Sequence, residues 1–499
     1  MDRITIKQFN SAQLDPPRLD AGQQVQPPVS YIPTPSAPYR QHRKAAALFL
    51  EPGAPRVGLG AKPAATVFAP GARVLMWKQD PSVREIGTRK VFLPGIVLSG
   101  PRDARIMFGT PGIAPVSPNA FGDFVTMPDT PQFDAVHTYA VVRQTLTMYQ
   151  RALAGVSDTP LPWQWNSSVD IAPLAIFPHG LPNIMNAYYS RAECCLKFGD
   201  FIPNGQPDRI YTCRSLDIVA HETAHAVLDG LKPDWLLADN APQTGGLHEA
   251  FGDLTAIFLC LSQLDQCEAI VAQTRASLHD KTFLADIAEQ FGLALGRSNG
   301  LRNADNDITL SQAGSQVHAI SQVFTGAVYD ILADLFSYER APVLLDDAAV
   351  LHKVGDYLRS LVLRALIAAP DQGALYVDVV NALLRLAHED GKPVAYCNAI
   401  RNRFVVREVV CSPVPLDDDH VPGVELEAGV QDAPGVSQDR TACCGTMNLA
   451  EYYQVEHQLD AELQALAKWC ADHGRTGPAR AAQDGDAQES DAGDGLGAP

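Results

Sequence analysis

The segment His221-Glu222-Thr223-Ala224-His225 constrains this chain more than any other. In a helix, residues four apart lie one turn apart on one face, so His221 and His225 present two imidazoles to the same point. Two imidazoles placed in this way can hold a divalent metal. Glu222 lies about 100° around the helix from His221, beside the open coordination position rather than in it. Such a helix has to be held rigidly inside a cleft, and so needs an apolar surface. Leu216, Ile218, Val219, Ala224, Val227 and Leu228 supply one.

A second segment, His248-Glu249-Ala250-Phe251-Gly252-Asp253, follows Gly245-Gly246. The interval from His225 accommodates the end of one helix, a turn and the start of another. Glu249 is the candidate third ligand, because two His and one Glu make a catalytic zinc set that leaves a position for water. The plainer alternative has Glu249 capping a helix that begins near Gly246, where a first-turn Glu is favourable. Asp253 is one turn beyond Glu249 on the same face. A metal-bound His commonly donates its other N–H to a carboxylate, which makes Asp253 the candidate partner of His221; its alternative is a solvated surface acid.

Bulk properties narrow the field. A length of 499 residues and 46% hydrophobic content suit two or three globular domains with a sizeable core. The net charge of -18 argues against a nucleic-acid partner, which needs clustered Lys and Arg. No apolar run approaches the roughly 18 residues that span a bilayer, so no transmembrane anchor is expected. Residues 1–11 are polar and lack an apolar stretch, so no secretory signal peptide is expected, which leaves localisation between the cytoplasm and a non-classical export route. The ten cysteines show no paired CxxC spacing, and two pairs are adjacent in sequence (Cys194-Cys195 and Cys443-Cys444). Free thiols are the expectation, with some disulfides as the competitor.

Residues 1–45, rich in Pro and Gln, read as a disordered leader. Residues 46–130 alternate short apolar runs, such as Arg73-Val74-Leu75-Met76-Trp77, with Pro and Gly, and read as a β-rich N-terminal region. Residues 131–235 read as a β-rich lobe that includes the metal helix, and 236–411 as a helical lobe. Helices are expected over 134–154, 216–229, 246–264, 317–336, 354–368 and 376–388. Residues 412–473 form a C-terminal extension with a helix over 449–471, and 474–499 an acidic disordered tail. The fold class is therefore α+β.

Five segments, in order, resemble the thermolysin-like zinc metallopeptidases, the gluzincins. Asp134-Ala135-Val136-His137-Thr138-Tyr139 resembles that family's D-A-H-x-Y helix start. Asn186-Ala187-Tyr188-Tyr189 with Phe198-Gly199-Asp200 resembles its edge strand. Residues 215–227 resemble its zinc helix, 246–253 its G-x-x-N-E-A-x-S-D segment, and Val317-His318-Ala319-Ile320-Ser321 its V-H-x-N-S. The resemblance covers roughly residues 134–410 and implies a two-lobed thermolysin-like fold, with a β-rich N-terminal lobe, a helical C-terminal lobe and the zinc helix between them. It implies one catalytic zinc on His221, His225 and Glu249, which activates water and polarises a peptide carbonyl. It makes Glu222 the general base and then acid, and His318 the oxyanion donor. Asn186 and the backbone of Ala187 would bind the substrate main chain as an added strand. Arg302, with Arg297 as second candidate, would grip the substrate carbonyl.

The sequence departs from the family in places. The family's Tyr after the second zinc His is absent from Lys232-Pro233-Asp234-Trp235-Leu236-Leu237. The acid that orients the catalytic His is Ala313 here. His248 stands where the family has Asn, and Gln322 where it has Gly. Asp217 is present from the family's double calcium site, but Cys260 replaces one of its acids, so no double calcium site is expected. The function this implies is a zinc metalloendopeptidase acting on peptide or protein substrates. The alternatives are a catalytically impaired scaffold that binds a partner, and a zinc aminopeptidase or other hydrolase. The retained Glu222 argues against a mere scaffold, which has no need of that carboxylate.

Overall fold

The structure, a computed structural model, describes residues 71–430 apart from 110–112, 155, 158, 204–206, 238–239, 299 and 315. The expected leader, residues 46–70, the helix at 449–471 and the acidic tail lie outside the described residues. What is described is mixed α+β.

Strand β1 (Gly71–Trp77) pairs antiparallel with β2 (Thr88–Pro94). Ala72, Val74 and Met76 turn inward while Arg73 faces water, the period-two pattern of a strand with one covered face. A second sheet contains β3 (Ile106–Phe108), β4 (Leu174–Leu181), β5 (Ala187–Ser190), β6 (Cys195–Phe201) and β7 (Ile210–Tyr211). Its order is β3-β4-β6-β5, with β7 also on β6; β3, β4 and β6 run parallel, and β5 and β7 antiparallel to β6. Strand β5 therefore has one neighbour and forms an edge. Gly199 on β6 allows the chain before β5 to cross closely, since a Cβ there would collide with the carbonyls of Ile184 and Asn186.

Helix α1 (Pro131–Ala152) starts with Thr130 accepting from the Phe133 N–H and Pro131 in the first turn. It packs against β1, β4 and α2 (Leu216–Leu231). Ser215 caps α2, and Pro233 lies just beyond its end. Helix α3 (Pro242–Leu261) begins earlier than the expected 246, with Pro242 in its first turn. Glu249 is thus about two turns inside α3, which removes the reading of Glu249 as a cap. Gly245 and Gly246 do not break the helix: a Cβ on Gly246 would meet Ile320 and the Tyr376 hydroxyl, so packing against these neighbours requires the missing side chain. The chain then bends by 95° into α4 (Leu264–Thr274), a helix that was not among those expected.

A short antiparallel pair, β8 (Asp286–Ile287) and β9 (Arg302–Asn303), encloses α5 (Glu289–Ala294). After α6 (Leu310–Ala313) come α7 (Val317–Glu339), α8 (Asp347–Ala368), α9 (Tyr376–Glu389) and α10 (Val394–Val406). The last was not expected, because Asn398, Arg401, Asn402 and Arg403 interrupt its apolar pattern. Val410–Cys411 pairs with Glu427–Ala428 as β10 and β11. The core runs through α2, α3 and α7: α2 packs on α3, α3 on α7, and α7 on α8 and α10.

Helix α7 bears on one expectation, that of no membrane-spanning segment. By length and composition it is apolar enough to cross a bilayer, yet 83% of its apolar window is buried inside the protein. Its apolarity is accounted for by its central place in the core. The described cysteines, Cys194, Cys195, Cys213, Cys260, Cys267, Cys397 and Cys411, carry free thiols.

Candidate metal centre

Two buried helices build the centre. His221 and His225 project from one face of α2 toward α3, their Nε2 atoms 3.0 Å apart. From α3, Glu249 Oε2 lies 3.4 Å from His221 Nε2, and Glu249 Oε1 3.6 Å from His225 Nε2. A tetrahedral ion with bonds of about 2.0–2.2 Å has ligand-to-ligand edges of about 3.3–3.5 Å. The three observed separations lie close to that triangle.

Glu249 supplies the test of fit. It has no exposed surface, and neither carboxylate oxygen has a hydrogen-bond donor. Burial by itself pushes its carboxyl up, and only positive charge facing it, on the imidazoles of His225, His221 and His318 or on an ion between them, pulls it down. Burial meanwhile drives His225 well below an ordinary histidine and His248 down to about 3, so both rings are neutral. A buried carboxylate without donors, among neutral rings whose nitrogens converge on it, is an anion that lacks its counter-charge. A divalent cation fits the donor set.

The surrounding side chains orient these three. His221 Nδ1 lies 3.0 Å from Asp253 Oδ1. Asp253 also accepts from Arg302, at 2.8 Å from Nε to Oδ2 and 2.6 Å from Nη2 to Oδ1. The Asp253 carboxyl is opposed by burial but lowered by Arg302 and His221, so an anion receives the His221 N–H. Pairing of Ile287 with Arg302 across β8 and β9 delivers that guanidinium. On the other ring, His225 Nδ1 meets His248 Nδ1 at 2.8 Å, with the rings stacked at 5.0 Å. The sequence identified His248 only as a substitution. Its contact depends on the packing of α3 against α2, which spacing does not reveal.

A cavity of about 470 Å³ opens onto the centre. His221, Glu222, His318, Arg302, Arg297, Asn186 and Ala187 all reach its wall. His225 and Glu249 do not, and Glu222 is itself buried. His318, on the first turn of α7, is pushed down to about 4 by burial and is neutral, with Nε2 3.7 Å from Glu249 Oε2. Its Nδ1 contacts Gln316, a partner the sequence reading did not identify. Ile218, Ile287, Phe291, Leu295 and Leu301 make one side of the cavity apolar.

One expectation changes in detail. The Ala187 N–H already donates to Asn186 Oδ1 at 2.9 Å, so in this state it is not offered to an added strand. Segment 232–237 contributes to the core rather than the cavity: Trp235 is buried and donates to the Pro370 carbonyl at 3.0 Å. Among the described residues, two further groups bring ligand-type atoms together: Asp134 with His179 and Cys213, and His279 with Asp305 and Asp330. In each an arginine already holds an acid, Arg214 on Asp134 and Arg407 on Asp330. Only the His221 group combines full burial with a carboxylate that no donor satisfies. Comparison with models of known protein families gives no match, and comparison with curated proteins gives none.

Proposed function

We propose that this chain is a zinc metalloendopeptidase with a two-lobed, thermolysin-like arrangement about the cavity. The observation that carries the reading is Glu249: a buried carboxylate without donors, facing two imidazole Nε2 atoms, next to a cavity that Glu222 also reaches. When bound, zinc supplies Lewis-acid polarisation of a peptide carbonyl and lowers the pKa of water. His221, His225 and Glu249 hold it. Asp253 keeps the His221 ring in place and favours its Nδ1–H tautomer, which leaves Nε2 for the metal. Glu222 accepts the proton of the attacking water and returns it to the leaving amine. His318 donates to the developing oxyanion from the cavity wall. The edge position of β5 favours a substrate bound in extended form, with Asn186 turning to release the Ala187 N–H.

The test is zinc analysis joined to a peptide-library digest, wild type against Glu222→Gln. The wild type should carry one zinc per chain on the metal centre and cleave internal peptide bonds in a chelator-reversible way. The variant should keep its zinc and lose at least about a hundredfold in kcat, the contribution of a positioned base. Equal cleavage by the variant contradicts the role of Glu222. A zinc-loaded wild type that cleaves nothing favours the binding scaffold instead, a reading consistent with the absence of a tyrosine hydroxyl from the 232–237 segment. Cleavage restricted to N-terminal residues points to an aminopeptidase.

A further inference from the structure

His318 is useful as a donor only if its proton sits on Nε2, the nitrogen that faces Glu249 and the cavity. In a neutral imidazole, the partner of the other nitrogen decides this. His318 Nδ1 lies 3.0 Å from Gln316 Nε2. An amide presents an acceptor at one end and donors at the other, so the way Gln316 faces is decisive.

The helix itself fixes that orientation. Gln316 is the N-cap of α7, and its side-chain oxygen accepts from the Ala319 N–H at 2.9 Å. An amide nitrogen cannot accept in that position. The oxygen therefore faces Ala319, and the NH2 faces His318. Because NH2 only donates, His318 Nδ1 is the accepting nitrogen and carries no proton, and the proton resides on Nε2. That nitrogen is buried without a hydrogen-bond partner, as a donor awaiting a ligand atom would be.

We infer that Gln316 is a positioning residue that locks His318 in its Nε2–H tautomer, so that a neutral imidazole directs an N–H into the cavity. The cap bond and the tautomer bond come from the two ends of one amide, so the start of α7 sets both the helix and the donor. Ala313, where the resemblance would place an orienting acid, cannot perform this task. The purpose of the donor rests on the peptidase reading; the tautomer itself does not.

Two variants separate capping from tautomer control. Gln316→Glu keeps the shape and the cap acceptor but presents Nδ1 with an oxygen that needs a proton. Gln316→Ser keeps a capping hydroxyl and is too short to reach the ring. The measurement is two-bond nitrogen–proton NMR of the full-length, zinc-loaded chain labelled at histidine nitrogen, with the His318 signals assigned by their loss in His318→Gln. Wild type should show a protonated Nε2 and a bare Nδ1, Gln316→Glu a protonated Nδ1, and Gln316→Ser a mixture. Gln316→Ser should also lose about tenfold in kcat, the worth of one hydrogen bond, with zinc content and KM changed by less than about twofold. A wild-type proton on Nδ1, or one tautomer common to all three proteins, overturns the inference. If the tautomers shift as stated while the zinc-loaded wild type cleaves no peptide, the peptidase reading fails and the positioning role stands. Full kcat in Gln316→Ser beside an active wild type removes Gln316 from the chemistry.

Discussion

The missing side chain at Gly252 determines where the first imidazole can lie. A Cβ there would stand 2.5 Å from His221 Cε1 and Nδ1, closer than packed atoms come. The ring rests against the backbone of α3 and so reaches Asp253 and Glu249 together. Gly252→Ala should displace the ring and weaken zinc affinity by about 10–100-fold, the usual consequence of disturbing a ligand's support. A competition titration against a chelator measures this, and unchanged affinity would mean that the close approach is incidental. That His221, His225 and Glu249 could meet was legible in the sequence, because their spacing places them on facing sides of two helices. The roles of His248 and Gln316 were not. Each depends on which atom of a neighbouring ring a side chain meets, and tertiary packing decides that.

Three acids from separate elements meet beside the cavity. Asp80 follows β1, Asp217 lies in the first turn of α2, and Glu289 starts α5. Ser82 bridges two of them, donating to Asp80 Oδ1 at 2.7 Å and lying 3.3 Å from Glu289 Oε2. Burial pushes up Asp80, and burial with the Asp80 charge raises Asp217 well above its ordinary value and Glu289 to about 7. The sign follows from proton linkage. These carboxyls hold protons in the folded chain that the unfolded chain has already released, so stability falls as pH rises. For Glu289 the window runs from its ordinary 4.5 up to about 7. Urea unfolding across that range should show a shallower loss of stability in Glu289→Gln than in wild type; parallel slopes would contradict the shift. At this scale the sequence located α1, α2, α7 and α9 within a few residues, since their apolar periodicity is uninterrupted. It started α3 too late, reading Gly245-Gly246 as a break, and α10 was not foreseen through its charged and amide residues.

For the whole molecule, the proposed function couples metal binding to the fold through Glu249. A ligand that binds only the folded state stabilises it by RT ln(1 + [L]/Kd), about 4 kcal/mol at a thousandfold excess over Kd. Without metal, the same carboxylate is an uncompensated buried charge, which costs stability. Two opposite orders of stability should result. With chelator present, Glu249→Gln should unfold at a higher temperature than wild type, because the charge is gone. With zinc present the order should reverse. Calorimetry in both conditions decides the matter, and a variant less stable in both would mean that Glu249 is satisfied without a metal. That most of the sheet precedes residue 211 and most of the helices follow 216 was legible from composition and periodicity. The assembly of the cavity wall from α2, β5, β9 and α7 was not, because those segments meet only through long-range packing.

The most direct measurement is anomalous diffraction at the zinc edge from crystals grown with zinc. The account predicts one strong peak within bonding distance of His221 Nε2, His225 Nε2 and a Glu249 oxygen. A strongest peak elsewhere, such as between Asp134, His179 and Cys213, or no peak at the centre, would contradict it.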